Sequence, residues 1–202
     1  MQETIGRKII SNIKKCGRGT IFFPGNFATY GDIKSVSKTL ERLNNDEIII
    51  RLSNGNYLYP KIDKALGLGV LYPSVEDVAR QVARRDRARI APTGAYALNL
   101  LGLSTQVLMN VVFLTDGSQR KIKLGNNRTI TFRHTVPRNL AFTNKTAQLA
   151  TFALRELGQQ NVRAEHLLAL RRVFSTIKEE SILADYKLMP AWIRKIIKSF
   201  YE

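Results

Sequence analysis

This sequence is poor in the side chains that most metal-dependent and nucleophilic chemistry uses. Cysteine occurs once, at Cys16, and histidine twice, at His134 and His166. A lone cysteine closes no internal disulfide and builds no cysteine-based zinc site. Neither histidine has an acid or a second histidine at metal-ligand spacing. No run of about 18 apolar residues occurs, so no membrane span is expected. The first ten residues hold no uninterrupted apolar stretch and no small-residue cleavage site, so no secretion signal is expected either. A cytoplasmic compartment is the simplest reading. No Gly-rich phosphate loop of the G-x-x-x-x-G-K kind is present.

Carboxylates are also scarce, with 16 Asp+Glu against 32 Lys+Arg. Gly117-Ser118 matches the start of a nucleotidyltransferase motif, but no Asp-x-Asp follows to hold a divalent metal. A nuclease wants clustered acids beside a lysine. Asp116 near Lys121 and Lys123 comes nearest, without a second carboxylate. The expectation is a non-enzyme with no metal and no cofactor.

What the chain does have is apolar content and positive charge. With 202 residues, 44% of them hydrophobic and 24% charged, it is long enough for a sizeable core. The formal net charge of +16 favours a polyanion as partner. Residues 1–72 hold 11 Lys+Arg against 6 Asp+Glu, and the rest hold 21 against 10, so the larger excess lies after residue 72.

The first third reads as a winged helix-turn-helix. Ile5, Ile9, Ile10 and Ile13 recur at helical spacing, and Gly17 and Gly19 end that helix. Thr20–Pro24 is a short apolar strand. Asn26 is expected to cap a short helix through Tyr30, with Gly31 stopping it. The next helix begins near Ile33–Ser35, with Val36, Leu40 and Leu43 as its buried stripe. Lys34, Lys38 and Arg42 recur four apart on the other side, with Ser35, Ser37 and Thr39 near the start. A second helix with a basic outer face after a tight Gly-containing turn is the layout that meets DNA. Its first turn is expected to offer free N–H groups to phosphates or base edges.

Ile48–Leu52 and Asn56–Pro60 flank Ser53-Asn54-Gly55, and Asn-Gly between β-rich runs signals a hairpin. This is the wing, with Arg51, Asn54 and Asn56 as candidates for the DNA backbone. The competing reading is a merely solvated helix face and a hairpin that only covers a core, or a winged fold that docks a protein.

Lys61–Tyr72 reads as a linker loosened by Gly67 and Gly69. Ser74 caps a helix with Asp77 as capping-box partner, and Val75, Val78, Ala79, Val82 and Ala83 form its apolar face. Arg80, Arg84, Arg85, Arg87 and Arg89 are the densest basic cluster, with Asp86 as the only acid nearby. They are read as either a solvated face or a phosphate patch. Pro92-Thr93-Gly94 opens a further helix, with Ala95, Leu98 and Leu101 facing inward and Gly102 at its end. Asn110–Thr115, Arg120–Leu124 and Arg128–Thr135 are strands joined by turns at Asp116-Gly117 and Gly125–Asn127. Together they are expected to form an antiparallel meander carrying Arg120, Lys121, Lys123, Arg128 and Arg133.

The winged module resembles part of a known family when it is followed by four runs in this order. They are Pro73-Ser74-Val75-Glu76 with Ala79, then Pro92-Thr93-Gly94, then Leu101-Gly102-Leu103-Ser104-Thr105-Gln106, then Phe113-Leu114-Thr115-Asp116-Gly117. The chain is similar to the AbiE-type antitoxins of type IV abortive-infection toxin–antitoxin pairs, from about Phe22 to the last helix. The resemblance implies a repressor of its own operon that binds operator DNA with inverted repeats. It also implies a C-terminal domain that counteracts a cognate nucleotidyltransferase toxin indirectly, without a stable complex. On that reading Arg80, Arg84, Arg85, Arg87, Arg89, Thr93 and Gly94 form the antitoxin or phosphate patch.

The last third is helical. Asn144–Leu157, Ala164–Phe174, Ser181–Lys187 and Pro190–Tyr201 are the expected helices, and Trp192, Ile193, Ile196, Ile197 and Phe200 form an apolar stripe read as core. The fold class is α+β: a winged helix-turn-helix over 1–62, then a domain over 73–202 with an antiparallel sheet and a helical bundle. The chain is expected to be a monomer or weak homodimer. The alternatives are a winged-helix regulator without antitoxin activity and a targeted nuclease-like protein.

Overall fold

The computed structural model describes residues 4–125 and 127–202, and the fold is mixed α+β. The central residue of the expected Gly125–Asn127 turn, Asn126, lies outside the described residues. Two compact units emerge: Met1–Gln81 with Ile122–Asn127, and Val82–Lys121 with Arg128–Glu202.

In the first unit, α1 spans Ile5–Cys16 and buries Gly6, Ile9 and Ile13; Gly17, at φ +87°, ends it. Strand β1 (Ile21–Phe22) leads into a 3-10 turn, Pro24–Phe27. Asn26 does not cap a helix through Tyr30. It lies inside this turn, and its Oδ1 accepts the Phe23 N–H at 2.7 Å. Pro24 fixes φ where the turn must start, so the turn begins three residues earlier than the sequence implies.

Helix α2 (Ile33–Asn45) follows, then β2 (Ile50–Ser53) and β3 (Asn56–Leu58). The three strands form an antiparallel sheet in the order β1-β3-β2, with Ile21 and Ile50 both facing Leu58. Val36, Leu40 and Leu43 of α2 pack with Ile9, Ile13, Phe22, Phe27, Ile49 and Tyr57 in one core. Each such side chain contributes on the order of 1.5–3 kcal/mol by leaving water. Helix, strand, turn, helix and hairpin around one core is the winged helix-turn-helix arrangement.

Lys61–Tyr72 is not a linker. Strands β4 (Lys61–Asp63) and β5 (Gly69–Leu71) pair antiparallel, with Ile62 opposite Val70. Gly67 and Gly69, which look like looseness in the sequence, sit at φ +67° and +68°, the left-handed backbone that a tight turn requires. The Asp63 carboxylate accepts the Leu66 N–H at 2.9 Å across that turn.

Helix α3 (Val75–Asp86) starts as expected: the Ser74 hydroxyl accepts the Asp77 N–H at 3.0 Å, and Val78, Ala79, Val82 and Ala83 are buried. Ile90–Thr93, which includes Pro92 and Thr93 of the expected helix opening, is a strand, β6; helix α4 is Ala95–Leu100. Strands β7 (Asn110–Thr115), β8 (Arg120–Lys123) and β9 (Thr129–His134) complete a sheet in the order β6-β7-β9-β8.

The expected antiparallel meander is therefore corrected to a mixed sheet: β6 and β7 are antiparallel, β7 and β9 parallel. Composition explains the order. Three of the four residues of β8 are cations, which suits a sheet edge. The apolar β9 takes the inner place, with Ile130 against Val111 and Phe132 against Phe113, ring centroids 5.9 Å apart. Pro92 lies in β6 at the other edge, where a missing N–H is tolerated.

Helices α5 (Lys145–Leu157), α6 (Ala164–Phe174) and α7 (Ala191–Lys198) follow. Ser181–Lys187 is not one helix but parts of two 3-10 turns, Glu179–Ser181 and Leu183–Leu188. Ile193 and Ile197 are fully buried in the core of this unit with Leu154, Leu170 and Phe174, and Trp192, Ile196 and Phe200 pack half-buried against it. No helix among the described residues is long and apolar enough to cross a membrane.

Candidate nucleic-acid interface

The candidate interface is the side of α2 that turns away from the first unit's core. At 3.6 residues per turn, Val36, Leu40 and Leu43 define the inward direction, which leaves Lys34, Lys38, Glu41, Arg42 and Asn45 outward; all five are exposed. A shallow groove of about 490 Å³ runs along this face, lined by Ser35, Lys38, Thr39, Glu41, Arg42 and Asn45. Glu41 and Asn45 were missed because a search for cations passes over an acid and an amide. Their offsets of three and seven residues from Lys38 placed them on the same face.

The start of α2 differs from the expectation of free N–H groups. Asp32 caps the helix, and its Oδ1 accepts the N–H groups of Lys34 at 3.0 Å and Ser35 at 2.9 Å. The Ser35 hydroxyl donates to the other carboxylate oxygen at 2.7 Å. The Ser35 N–H and then its hydroxyl hold the Asp32 carboxyl below the usual carboxylate range. The place a phosphate would take at this terminus therefore already holds the chain's own carboxylate.

The candidate residues of α2 divide by what they touch. Lys34 and Lys38 are exposed and make no ion pair among the described residues. The Thr39 hydroxyl donates back to the Ser35 carbonyl at 2.9 Å, a bond within the helix. Ser37 is half-buried. Arg42 lies over α1: a Cβ on Gly6 would stand 2.8 Å from its Nη2, so the absence of a side chain at Gly6 makes room for the guanidinium.

The wing is a two-residue turn, Asn54-Gly55, between Ser53 and its partner Asn56, with Gly55 at φ +72°. Arg51 is exposed, and its Nη2 donates to Asn54 Oδ1 at 2.9 Å. The Arg51 N–H donates to Asn44 Oδ1 at 2.7 Å, which ties the wing to the end of α2. Asn56 is not available as a backbone contact. It is 1% exposed, and its amide donates to Ser53 Oγ and, at 3.1 Å, to the Asn54 carbonyl. Its amide holds the turn from inside.

The arginine cluster after residue 79 is mostly engaged. Asp86 is not the only acid within reach. Arg80 pairs with Glu76 at 2.5 Å, Arg85 with Asp86 at 2.7 Å, and Arg89 with Asp116 at 2.8 Å. Asp86 also takes Arg120 at 2.5 Å. Arg84 and Arg87 remain exposed, without an ion pair among the described residues. Arg87 is the left-handed residue that ends α3, at φ +51°. At Thr93-Gly94 a carboxylate stands close: Glu156 Oε2 lies 3.5 Å from where a Cβ on Gly94 would be, a poor setting for a phosphate.

Asp116 accepts both from the Arg89 main chain and from its guanidinium, and the Arg89 side chain holds its carboxyl below the ordinary range. His134 Nδ1 lies 3.3 Å from the Gly117 carbonyl, and His166 Nδ1 accepts the Arg163 N–H at 3.2 Å as part of the cap of α6. Among the described residues no three His, Cys, Asp or Glu side chains group where they could hold a metal ion.

The chain belongs to a family of unknown function, DUF6088, whose sequence profile matches residues 8–182. No curated protein matches it.

Proposed function

We propose that this chain is a DNA-binding repressor that docks α2 in the major groove and the Asn54-Gly55 wing on the adjacent backbone. The observation that carries this is the outward face of α2. It presents Lys34 and Lys38, without an ion pair among the described residues, beside Arg42 on a winged scaffold, in a chain of net charge +16. Cations on a solvated face with no intramolecular partner are free to replace the counterions of a phosphate backbone. The hydrogen bond from Arg51 to Asn44 Oδ1 sets the wing at a fixed distance from the helix. Helix and wing can then engage neighbouring stretches of one duplex.

The finer reading rests on the sequence resemblance to AbiE-type antitoxins. The DNA bound is operator DNA with inverted repeats upstream of the chain's own gene, the compartment is the cytoplasm, and the second unit counteracts a nucleotidyltransferase toxin without a stable complex. In that role the chain itself catalyses nothing. Arg84 and Arg87 are the members of the arginine cluster still open to a phosphate-bearing partner.

Two measurements test this reading. Labelled duplex from the region upstream of the gene is titrated with the protein at several salt concentrations, beside random-sequence duplex. Steeply salt-dependent binding with preference for the upstream duplex is expected. A flat salt dependence, or equal affinity for both duplexes, overturns the repressor reading. Co-expression with the neighbouring gene product then tests toxin rescue; a toxic neighbour that this chain leaves toxic overturns the antitoxin reading alone.

A further inference from the structure

We propose that Glu41 is a specificity-determining residue of the α2 face, recognising a C·G base pair by accepting a hydrogen bond from the cytosine N4 amino group. The inference rests on the DNA-binding reading above and deepens it. Glu41 is the only acid in α2. It is exposed on the outward side and lines the same groove as Lys38, Arg42 and Asn45. Yet it makes no hydrogen bond or ion pair among the described residues, although Lys38 lies one turn before it and Arg42 next to it. This contrasts with Glu76, Asp86 and Asp116, each of which carries an ion pair to an arginine.

An unpaired carboxylate on a face that meets DNA is repelled by every phosphate, so it lowers affinity for all sequences alike. The place where it gains is the floor of the major groove, where the donors on base edges are cytosine N4 and adenine N6. Adenine sets its N7 acceptor beside that donor, which opposes a carboxylate. The cytosine edge carries no acceptor next to N4, so a carboxylate discriminates in favour of cytosine. Lys38 and Arg42 flank Glu41 and offset its repulsion from the backbone, leaving the acid to select the base.

The test uses the full chain. Wild type, Glu41→Ala and Glu41→Gln each select from a pool of randomised duplexes, and affinities for the selected duplex and for random duplex are then measured. Wild type is expected to require a C·G pair at one position of each half-site. Both variants are expected to lose that preference by about tenfold or more, as for one lost base contact. Affinity for random duplex is expected to stay equal or rise, because a repulsive charge is gone. The inference is overturned if the variants keep every base preference of the wild type, if wild type shows no C·G requirement, or if specific and random affinities fall by the same factor. Wild type that binds no duplex at all overturns the DNA-binding reading itself. That result is told apart from the others because it appears before any variant is made. The Glu41 side chain makes no hydrogen bond or ion pair among the described residues, so equal melting temperatures are expected for all three proteins.

Discussion

Asp116 grips Arg89 at two points: its Oδ1 accepts the Arg89 main-chain N–H at 2.7 Å and its Oδ2 accepts the Nε at 2.8 Å. The same arginine reaches on to the Leu140 carbonyl at 3.3 Å. The acid at the end of β7 and an arginine of the basic cluster thus occupy each other. Both had looked free in the sequence, one as a nuclease acid and the other as a phosphate ligand.

Asp116→Asn should destabilise the second unit by about 1–2 kcal/mol, the scale of hydrogen bonds that involve a charged partner. Its effect should depend on pH. The folded carboxyl titrates below its ordinary value of 3.8, so its contribution is complete above that value and is lost as pH falls through the folded value. Urea unfolding should therefore separate wild type from variant at pH 7 and bring them together once the pH falls below the folded carboxyl's lowered value. A gap that is the same at both pH values would show that the ionised form adds nothing.

Lys34→Ala with Lys38→Ala should weaken binding to every duplex and flatten its salt dependence. Two lost phosphate contacts lower the slope of log K against log salt by about 1.8. Neither lysine has an ion-pair partner among the described residues, so the melting temperature should not move. An unchanged slope would mean that another face meets the DNA.

Asn56→Ala should act through stability rather than contact. Removing the amide takes away the bonds to Ser53 Oγ and the Asn54 carbonyl inside the turn, at a cost of about 1–2 kcal/mol. Thermal unfolding checks this. Asn54→Ala, at the exposed tip, should leave melting nearly unchanged. Equal losses in the two variants would contradict the assignment of Asn56 as the internal brace.

Asp185→Ala should be among the most damaging substitutions in the second unit. Asp185 is buried, and its carboxylate accepts the N–H groups of Thr143 and Asn144, each at 2.8 Å, and the Thr143 hydroxyl at 3.0 Å. Its removal leaves two main-chain donors without an acceptor, at roughly 1–3 kcal/mol each. Amide hydrogen exchange at Thr143 and Asn144 should accelerate well beyond that of the β7 core. Unchanged protection there would mean that other groups satisfy those amides.

The sequence by itself determined the amphipathic faces of the longer helices and the turns and caps that close within a few residues. The stripe Val36, Leu40, Leu43 names both the inward side of α2 and, by elimination, its outward cations, because helical periodicity needs no tertiary information. Asn54-Gly55 sets the wing turn for a similar reason: only a residue tolerant of positive φ closes it. Ser74 and Asn144 mark helix starts through bonds within three residues of themselves.

Tertiary structure alone decided what depends on groups far apart in the chain. Insertion of β9 between β7 and β8 follows from matching Ile130 and Phe132 to Val111 and Phe113, a choice among pairings that periodicity leaves equal. Gly67 and Gly69 could not announce a turn rather than a linker, since only the pairing of Ile62 with Val70 distinguishes the two. The arginine cluster shrank to Arg84 and Arg87 because a cation's availability depends on acids brought from elsewhere, as Asp116 is brought to Arg89 across 27 residues. Charge type is written in the sequence, whereas whether a charge is free is a matter of distance, and distance exists only in the fold.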